Sequence, residues 1–376
     1  KIFNLVMFHT PFPHAFGINI NDLSIKVVQF RNTSFRHRKP TYELVTARTI
    51  RLPYGLIVNG EIQEPEPVRK YIQHILEGLH KDKQPIKTPW VVASLPEKQS
   101  FVKLITIPKN PFDIFDDDVR ISAAKHVPFE DSSYYIDWEI MDTNNAGMAE
   151  ETTVLIGVTN KQMSNSYTYL LESVGLGVVA LEIESLALAR ALVNSQKTYS
   201  GEARALIDIG ASKTTLIMYD KGIIQFSRVL DYSGEIVTTS IAQALHIPQA
   251  EAEKIKKLPE KKQAEKLDAV QKTIIKTTGM LIHDIEESLR FYYSHFKDAN
   301  RVQHITLTGG GAAIHKLPET ITQKLQIQTV IGNPWKNVSA FAAESKIPFA
   351  ESLSYAAGIG LALRAADNPF VAYDMI

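Results

Sequence analysis

The sequence predicts a two-lobed α/β protein, and three observations carry that prediction. Two distant stretches, GININDLSIKVVQF at 17–30 and ALIDIGASKTTLIMY at 205–219, both read as strand, short polar turn, strand. Each is followed by helical signals, so the chain looks like one hairpin-led α/β unit used twice. A third apolar strand, Ile305 to Leu307, runs directly into Thr308-Gly309-Gly310-Gly311, where a backbone can approach a ligand closely. At 376 residues the chain has room for about two to four domains, enough for two lobes and the cleft between them.

Taken in order, residues 15–31 form the first hairpin, with its turn at Asn21-Asp22. Further strands lie in 41–58, and Asn59-Gly60 marks a tight turn. Pro67 opens a helix whose Val68, Ile72, Ile75, Leu76 and Leu79 fall on one face. Residues 90–158 read as a small βαβ-containing unit. Phe101 to Ile107 is a strand stopped by Pro108, and Asp116, Asp117 and Asp118 open a helix where negative charge is favoured. Tyr134, Ile136, Trp138 and Ile140 alternate with polar neighbours as in a half-buried strand, and Thr153 to Val158 is another. A helix over 161–174, a strand over 178–183 and a helix over 185–194 lead into a polar stretch, 194–202, read as the hinge. The second half repeats the opening with strands 205–209, 214–219 and 223–229. A helix over 235–246, a charged helical stretch over 249–268, a long helix to about Phe296 and a last helix over 352–366 complete it.

Composition removes several function classes. Lysine plus arginine and aspartate plus glutamate both number 41, so a formal net charge of zero argues against binding nucleic acid through phosphates. The chain has no cysteine, which excludes disulfides, thiol nucleophiles and thiolate metal sites. No stretch of roughly 18 consecutive apolar residues is present, so none reads as a membrane span. Lys1 to His14 reads as a tail or interfacial segment rather than a signal peptide, since no small-residue cleavage site follows it.

Chemistry concentrates in two motifs. The first is Asp208-Ile209-Gly210-Ala211-Ser212-Lys213-Thr214-Thr215. Gly210 is expected to supply a positive φ to a tight turn that presents backbone N–H groups and short hydroxyls to a phosphate. Asp208 at the strand end is placed to hold a hydrated Mg²⁺ beside that phosphate. The second is Gly309-Gly310-Gly311. Other patterns fail on context. Gly175-Leu176-Gly177-Val178-Val179-Ala180 fits a dinucleotide fingerprint, but its order is helix, glycines, strand. The Asp116–Asp118 triplet reads as a solvated helix start rather than a metal site. The lysines from Lys254 to Lys262 are interrupted by Glu260 and read as a solvated face. The eleven histidines show no metal spacing.

An Asp-x-Gly hairpin followed about a hundred residues later by a strand ending in three glycines resembles the actin/Hsp70/sugar-kinase superfamily. Within it, the ordered motifs resemble the PilM family of type IV pilus assembly proteins over roughly residues 15–366. These are Gly17 to Lys26, Ser94-Leu95-Pro96, Lys125 to Phe129, Glu182 to Arg190, Asp208 to Thr215, Ala252 to Lys256, Glu287 to Tyr292, Thr308 to Ala312, Gly332 to Trp335 and Tyr355 to Leu363. The resemblance implies a first lobe of 14–95 and 178–200, an inserted small domain of 96–177, and a second lobe of 201–240 and 300–370 carrying a helical subdomain, 241–299. It also implies ATP and Mg²⁺ as ligands. Asn19, Asn21, Ser24 and Lys26 would form one phosphate hairpin. Asp208, Gly210, Ser212, Lys213 and Thr214 would form the other, with Asp208 as the metal residue. Gly234 follows in Ser233-Gly234-Glu235. Glu253 and Lys256 would reach the ribose and base, Gly309, Gly310 and Gly311 would pass under the adenosine, and Ser288 and Arg290 would lie by the base.

The partner implied is the N-terminal peptide of a PilN-like inner-membrane protein, with self-association as a further contact, no nucleic acid, and a cytoplasmic location tied to the membrane only through that partner. ATPase activity is expected to be weak or absent. Asn19-x-Asn21 stands where the superfamily has Asp-x-Gly, and Ser233-Gly234-Glu235 where it has Gly-Gly-Asp. An FtsA- or MreB-like filament-forming ATPase is the alternative. A small-molecule kinase would need an acidic general base that no motif nominates.

Overall fold

The two expected hairpins, their first strands buried almost throughout, form the centres of two sheets with one shared strand order. In the computed structural model the described residues are 11–33, 41–78, 84–126, 133–141, 151–199, 201–256, 267–314, 316–338 and 347–367. In the first lobe, β1 (Phe16–Asn21), β2 (Ser24–Asn32) and β3 (Tyr42–Arg51) form an antiparallel meander. The small hairpin β4 (Ile57–Val58) and β5 (Glu61–Ile62) turns on Asn59 and Gly60, both at positive φ, as the sequence leads one to expect. Next comes α1 (Pro65–Glu77), starting two residues before Pro67, with Val68, Ile72 and Ile75 buried. Its C-terminal carbonyls are closed by Arg48, which donates to Ile75 O at 2.9 Å and Leu76 O at 3.1 Å.

The strand β6 (Trp90–Leu95) runs parallel to β1. A return to a parallel strand needs a crossover, and it is long here: β7 (Ser100–Ile107), α2 (Asp116–Ala123), β8 (Tyr134–Ile140), β9 (Thr152–Asn160) and α3 (Lys161–Glu172) all precede β10 (Gly177–Ile183). Only α3 acts as the crossover helix. Its Met163, Tyr167, Leu170 and Leu171 share a core with Val68 and Ile72 of α1. The strands β7, β9 and β8 form a separate antiparallel layer with its own core of Ile105, Val119, Tyr134 and Ile156. The acidic start of α2 is held locally. Asp118 pairs with Lys109 at 2.7 Å and accepts from the Phe115 N–H at 3.1 Å, while Asp116 accepts from Trp138 Nε1 at 2.9 Å.

After α4 (Glu184–Leu192) the pattern repeats: β11 (Ala203–Ile209), β12 (Thr214–Asp220) and β13 (Ile223–Leu230) form a meander, followed by α5 (Gly234–Leu245), α6 (Gln249–Lys256) and α7 (Leu267–His295). The strand β14 (Val302–Thr308) lies parallel to β11, and α8 (Leu317–Leu325) crosses to β15 (Gln328–Ile331). The orders are β10-β6-β1-β2-β3 and β15-β14-β11-β12-β13, the same topology twice. The small layer attaches by β7 to the β13 edge through one pairing, Phe226 with Lys103, so the second sheet continues into it.

The final helix, α9 (Ala356–Ala366), packs on α4 and on β1 and β2. Gly360 touches the Ala187 carbonyl so closely that no Cβ fits there. One core runs through both lobes at this point, from Val28 and Phe30 through Leu188 and Leu192 to Leu206, Ile217 and Trp335. The hinge is tied down as well: Asn337 Nδ2 donates to Arg190 O and Val193 O, and its Oδ1 accepts from the Ser195 N–H. The glycine-rich decoy at 175–180 is the turn from α3 into β10, with the strand after the glycines. The segments 1–10, 127–132, 257–266 and 368–376 lie outside the described residues, and with them most of the expected tail, the Val127-Pro128-Phe129 step and most of the lysine run.

Candidate nucleotide cleft

The carboxyl ends of the parallel strands β6, β10 and β14 point towards the gap between the lobes, the position where open α/β sheets bind ligands. Both hairpins arrive there. On β1, Asn19 is buried and its amide orientation is set by three partners. Asn19 Nδ2 donates to Glu184 Oε1 at 2.9 Å and to Ser94 Oγ at 3.0 Å, while its Oδ1 accepts from Asn21 Nδ2 at 2.8 Å. Lys26 lies opposite Asn19 in the register and donates to Ser24 Oγ at 3.0 Å. Asp22, in the turn, accepts from the Asn59 N–H at 3.1 Å and the Gly60 N–H at 2.9 Å, which locks the β4–β5 hairpin against the first.

From the second lobe, Asp208 is the penultimate residue of β11, and the loop 210–213 closes with the Gly210 N–H donating to Lys213 O at 2.9 Å. Gly210 does not have the positive φ expected of it, nor does any residue of this loop. Glycine is needed there for space: a Cβ would sit 2.8 Å from the Lys213 carbonyl. Ser212 is half-buried at the tip, and Thr214 is fully buried with an unpartnered hydroxyl. Lys213 reaches across the lobes and pairs with Glu184 Oε2 at 2.5 Å.

Glu184 therefore receives Asn19 from one lobe and Lys213 from the other. Burial would raise its carboxyl, but Lys213, Asn19 and Lys26 together hold it below the usual carboxylate range. Burial would lower the Lys213 ammonium, and Glu184 outweighs it. Burial pushes Asp208 up to about 7, with Glu184 adding to the rise and Lys26 and Lys213 opposing it. Glu97 is also pushed up to about 7 by burial, while it accepts the Ser185 N–H at the start of α4 at 3.2 Å. Lys26 is lowered by burial, against the pull of Asp208 and Glu184.

The helical side of the cleft closes through Gly234. Its N–H donates to Gly210 O at 3.0 Å, and Lys256 Nζ donates to Gly234 O at 2.9 Å and Thr238 Oγ1 at 2.8 Å. Glu253 completes the cluster, 2.6 Å from Lys256 Nζ and from Thr238 Oγ1. Gly309 sits at φ +84, where a Cβ would come 2.6 Å from Asp208 Oδ1, and Gly311 packs on Ile209 with no room for a side chain. Gly310 faces open space and begins a 3₁₀ turn, Gly310–Ala313. The fold thus gathers Asn19, Asn21, Ser24, Lys26, Asp208, Gly210, Lys213, Gly234, Glu253, Lys256, Gly309, Gly310 and Gly311 around one cleft. Ser288 is buried in α7 with its hydroxyl on Asp284 O, and Arg290 is exposed.

The family model of the PilM type IV pilus assembly proteins matches residues 17–366. The chain belongs to the PilM family. A solved PilM–PilN type IV pilus biogenesis complex superposes with a TM-score of 0.77 at 22% identity, covering 95% of this chain and 100% of that one. The ethanolamine utilization protein EutJ of Carboxydothermus hydrogenoformans follows with a TM-score of 0.53 at 14% identity, covering 94% and 90%. The cell division protein FtsA of Escherichia coli is 24% identical over 164 residues, 40% of this chain and 39% of FtsA, so that match spans about two fifths of the relative. The fold is the actin-like ATPase fold of PilM. Among the described residues no helix is long and apolar enough to cross a membrane.

The residue types of this PilM-family cleft suit a nucleotide. Gly310 faces open space at the end of β14, and Lys26 and Lys213 bring positive charge to Asp208. Magnesium does not fit. Asn19 contributes a neutral amide whose oxygen is already engaged, Asp208 has two ammonium groups as its counter-charges, and among the described residues no three His, Asp or Glu side chains are arranged to hold a metal ion. Sequence reasoning missed Glu184, Glu97, Ser94 and Thr238 as cleft residues. Glu184 carried one signal, an acid at a strand end opening an apolar helix. As a general base it is pre-empted by Lys213 and Asn19.

Proposed function

We propose that this PilM-family chain is a cytoplasmic scaffold of type IV pilus assembly, which holds ATP in its interlobe cleft and docks the N-terminal peptide of a PilN-like inner-membrane protein. The observation that carries the nucleotide reading is the meeting of the two hairpins with the glycine run after β14, where Gly310 faces open space. Lys26, Lys213 and the N–H groups of residues 211–213 would hold phosphates, the glycines would lie under the nucleoside, and Glu253 and Lys256 would approach ribose and base. ATP supplies polyphosphate charge that the two lysines neutralise, drawing the lobes together. Glu184 is committed to structural partners, which supports a nucleotide that clamps rather than turns over. The partner reading is supported by the solved relative being a PilM–PilN complex.

Thermal unfolding with and without ATP, together with phosphate release, tests the first half. ATP at about 100 times its dissociation constant stabilises by about 2.7 kcal/mol, a shift of several degrees. A shift without phosphate release is expected; no shift overturns the nucleotide reading. Titration of a synthetic PilN N-terminal peptide tests the second half, with saturable binding expected. The alternative, a filament-forming FtsA-like ATPase, is favoured instead by sedimentable polymer in ATP with sustained phosphate release.

A further inference from the structure

Lys213 stands out in this cleft because no local need explains it. It sits in a loop that otherwise offers small residues, its side chain is mostly buried, and it spans from the second lobe to Glu184 at the start of α4. Glu184 in turn faces Asn19, whose Nδ2 it accepts at 2.9 Å. An aspartate in place of Asn19 would set two carboxylates against each other, so the neutral amide and the charged Glu184 belong to one arrangement. Within that arrangement Lys213 is the positive partner of Glu184, and both Lys213 and Lys26 act electrostatically on Asp208.

Resting on the nucleotide reading above, we propose that the Lys213 ammonium is the tethered cation of this site, and that the cleft binds adenine nucleotide phosphates without a divalent metal ion. A magnesium ion needs oxygen ligands or ordered waters in an octahedral shell. Asn19 directs N–H groups at Glu184 and Ser94, Asn21 directs its N–H at Asn19, and Lys26 donates to Ser24. The acceptors Asn19 Oδ1 and Ser24 Oγ are thus taken up within the hairpin itself, and what Asn19 sends to its neighbours is N–H. An ammonium needs no such shell. It offers three donors, two of which remain for phosphate oxygens while the third keeps Glu184. Lys213 is carried on the second lobe and Glu184 on the first, so the pair links the two lobes.

The test is ATP affinity by calorimetric titration of the whole chain, once in EDTA and once in excess MgCl₂. The expected result is an affinity in EDTA equal to or tighter than in magnesium. Affinity lower by tenfold or more in EDTA, equivalent to about 1.4 kcal/mol, overturns the tethered cation and leaves the nucleotide reading standing. No binding in either buffer, with the protein folded by circular dichroism, overturns both. Lys213→Met adds a second arm: its affinity is expected to fall at least tenfold in EDTA and in magnesium alike. A Met variant that binds in EDTA as wild type does overturns the role of Lys213. The wild-type comparison in two buffers stands without the variant should the variant not fold.

Discussion

Asn19 and Glu184 meet at 2.9 Å across the first lobe although 165 positions separate them in the chain. The contact is an amide donating to a carboxylate, in a place where a second carboxylate would repel. It sets the electrostatic character of the cleft, because Glu184 is then free to take Lys213 from the opposite lobe at 2.5 Å.

Asn19→Asp is expected to destabilise the protein by about 2–4 kcal/mol at neutral pH, the cost of forcing two buried carboxylates together. The loss shrinks as the pH falls and one of the pair takes up a proton. Urea unfolding of both proteins at two pH values measures it; an equal loss at both would show that repulsion is not the cause.

Gly309→Ala places a Cβ 2.6 Å from Asp208 Oδ1 at a φ of +84 that L-residues avoid. A loss of about 2–4 kcal/mol is expected, together with loss of ATP-induced stabilisation. Gly310→Ala meets nothing within 4 Å, so it serves as the control and should cost under about 1 kcal/mol.

The pH profile follows from Asp208 and Glu97. Their carboxyls are raised from usual values of 3.8 and 4.5 to about 7 in each case, with burial as the main cause. A group raised in the folded state binds its proton more tightly there. Its contribution is therefore complete below the unfolded value and is lost as pH climbs through about 7. Apparent melting temperature without nucleotide should fall between pH 5 and 8, and Asp208→Asn should flatten the slope. A slope unchanged by that substitution would assign the effect elsewhere.

Lys256→Gln removes the ammonium that ties Gly234 O and Thr238 Oγ1 together at 2.9 and 2.8 Å. A stability loss of about 1–2 kcal/mol is expected, as for a charged hydrogen-bond donor. ATP affinity should fall by about tenfold if this corner borders the nucleoside. Fluorescent nucleotide titration separates the two effects.

The sequence by itself determined the local elements and their repetition. The 3.6-residue spacing of Val68, Ile72 and Ile75, the alternation through Tyr134 to Ile140, and the Asn59-Gly60 turn all act within a few residues, so they are legible without a fold. Both hairpins and the glycine run after β14 were visible for the same reason. Tertiary structure alone decided which charges meet. That Glu184 accepts Asn19 and Lys213 depends on two parallel crossovers bringing β6, β10 and α4 beside β1, and no local pattern encodes such a distance. The place of α3 in the first-lobe core was decided likewise, because crossover geometry, not its neighbours in sequence, chooses the sheet it covers. Even Gly210 is explained only in three dimensions: its backbone is ordinary, and what forbids a side chain there is the Lys213 carbonyl folded back against it.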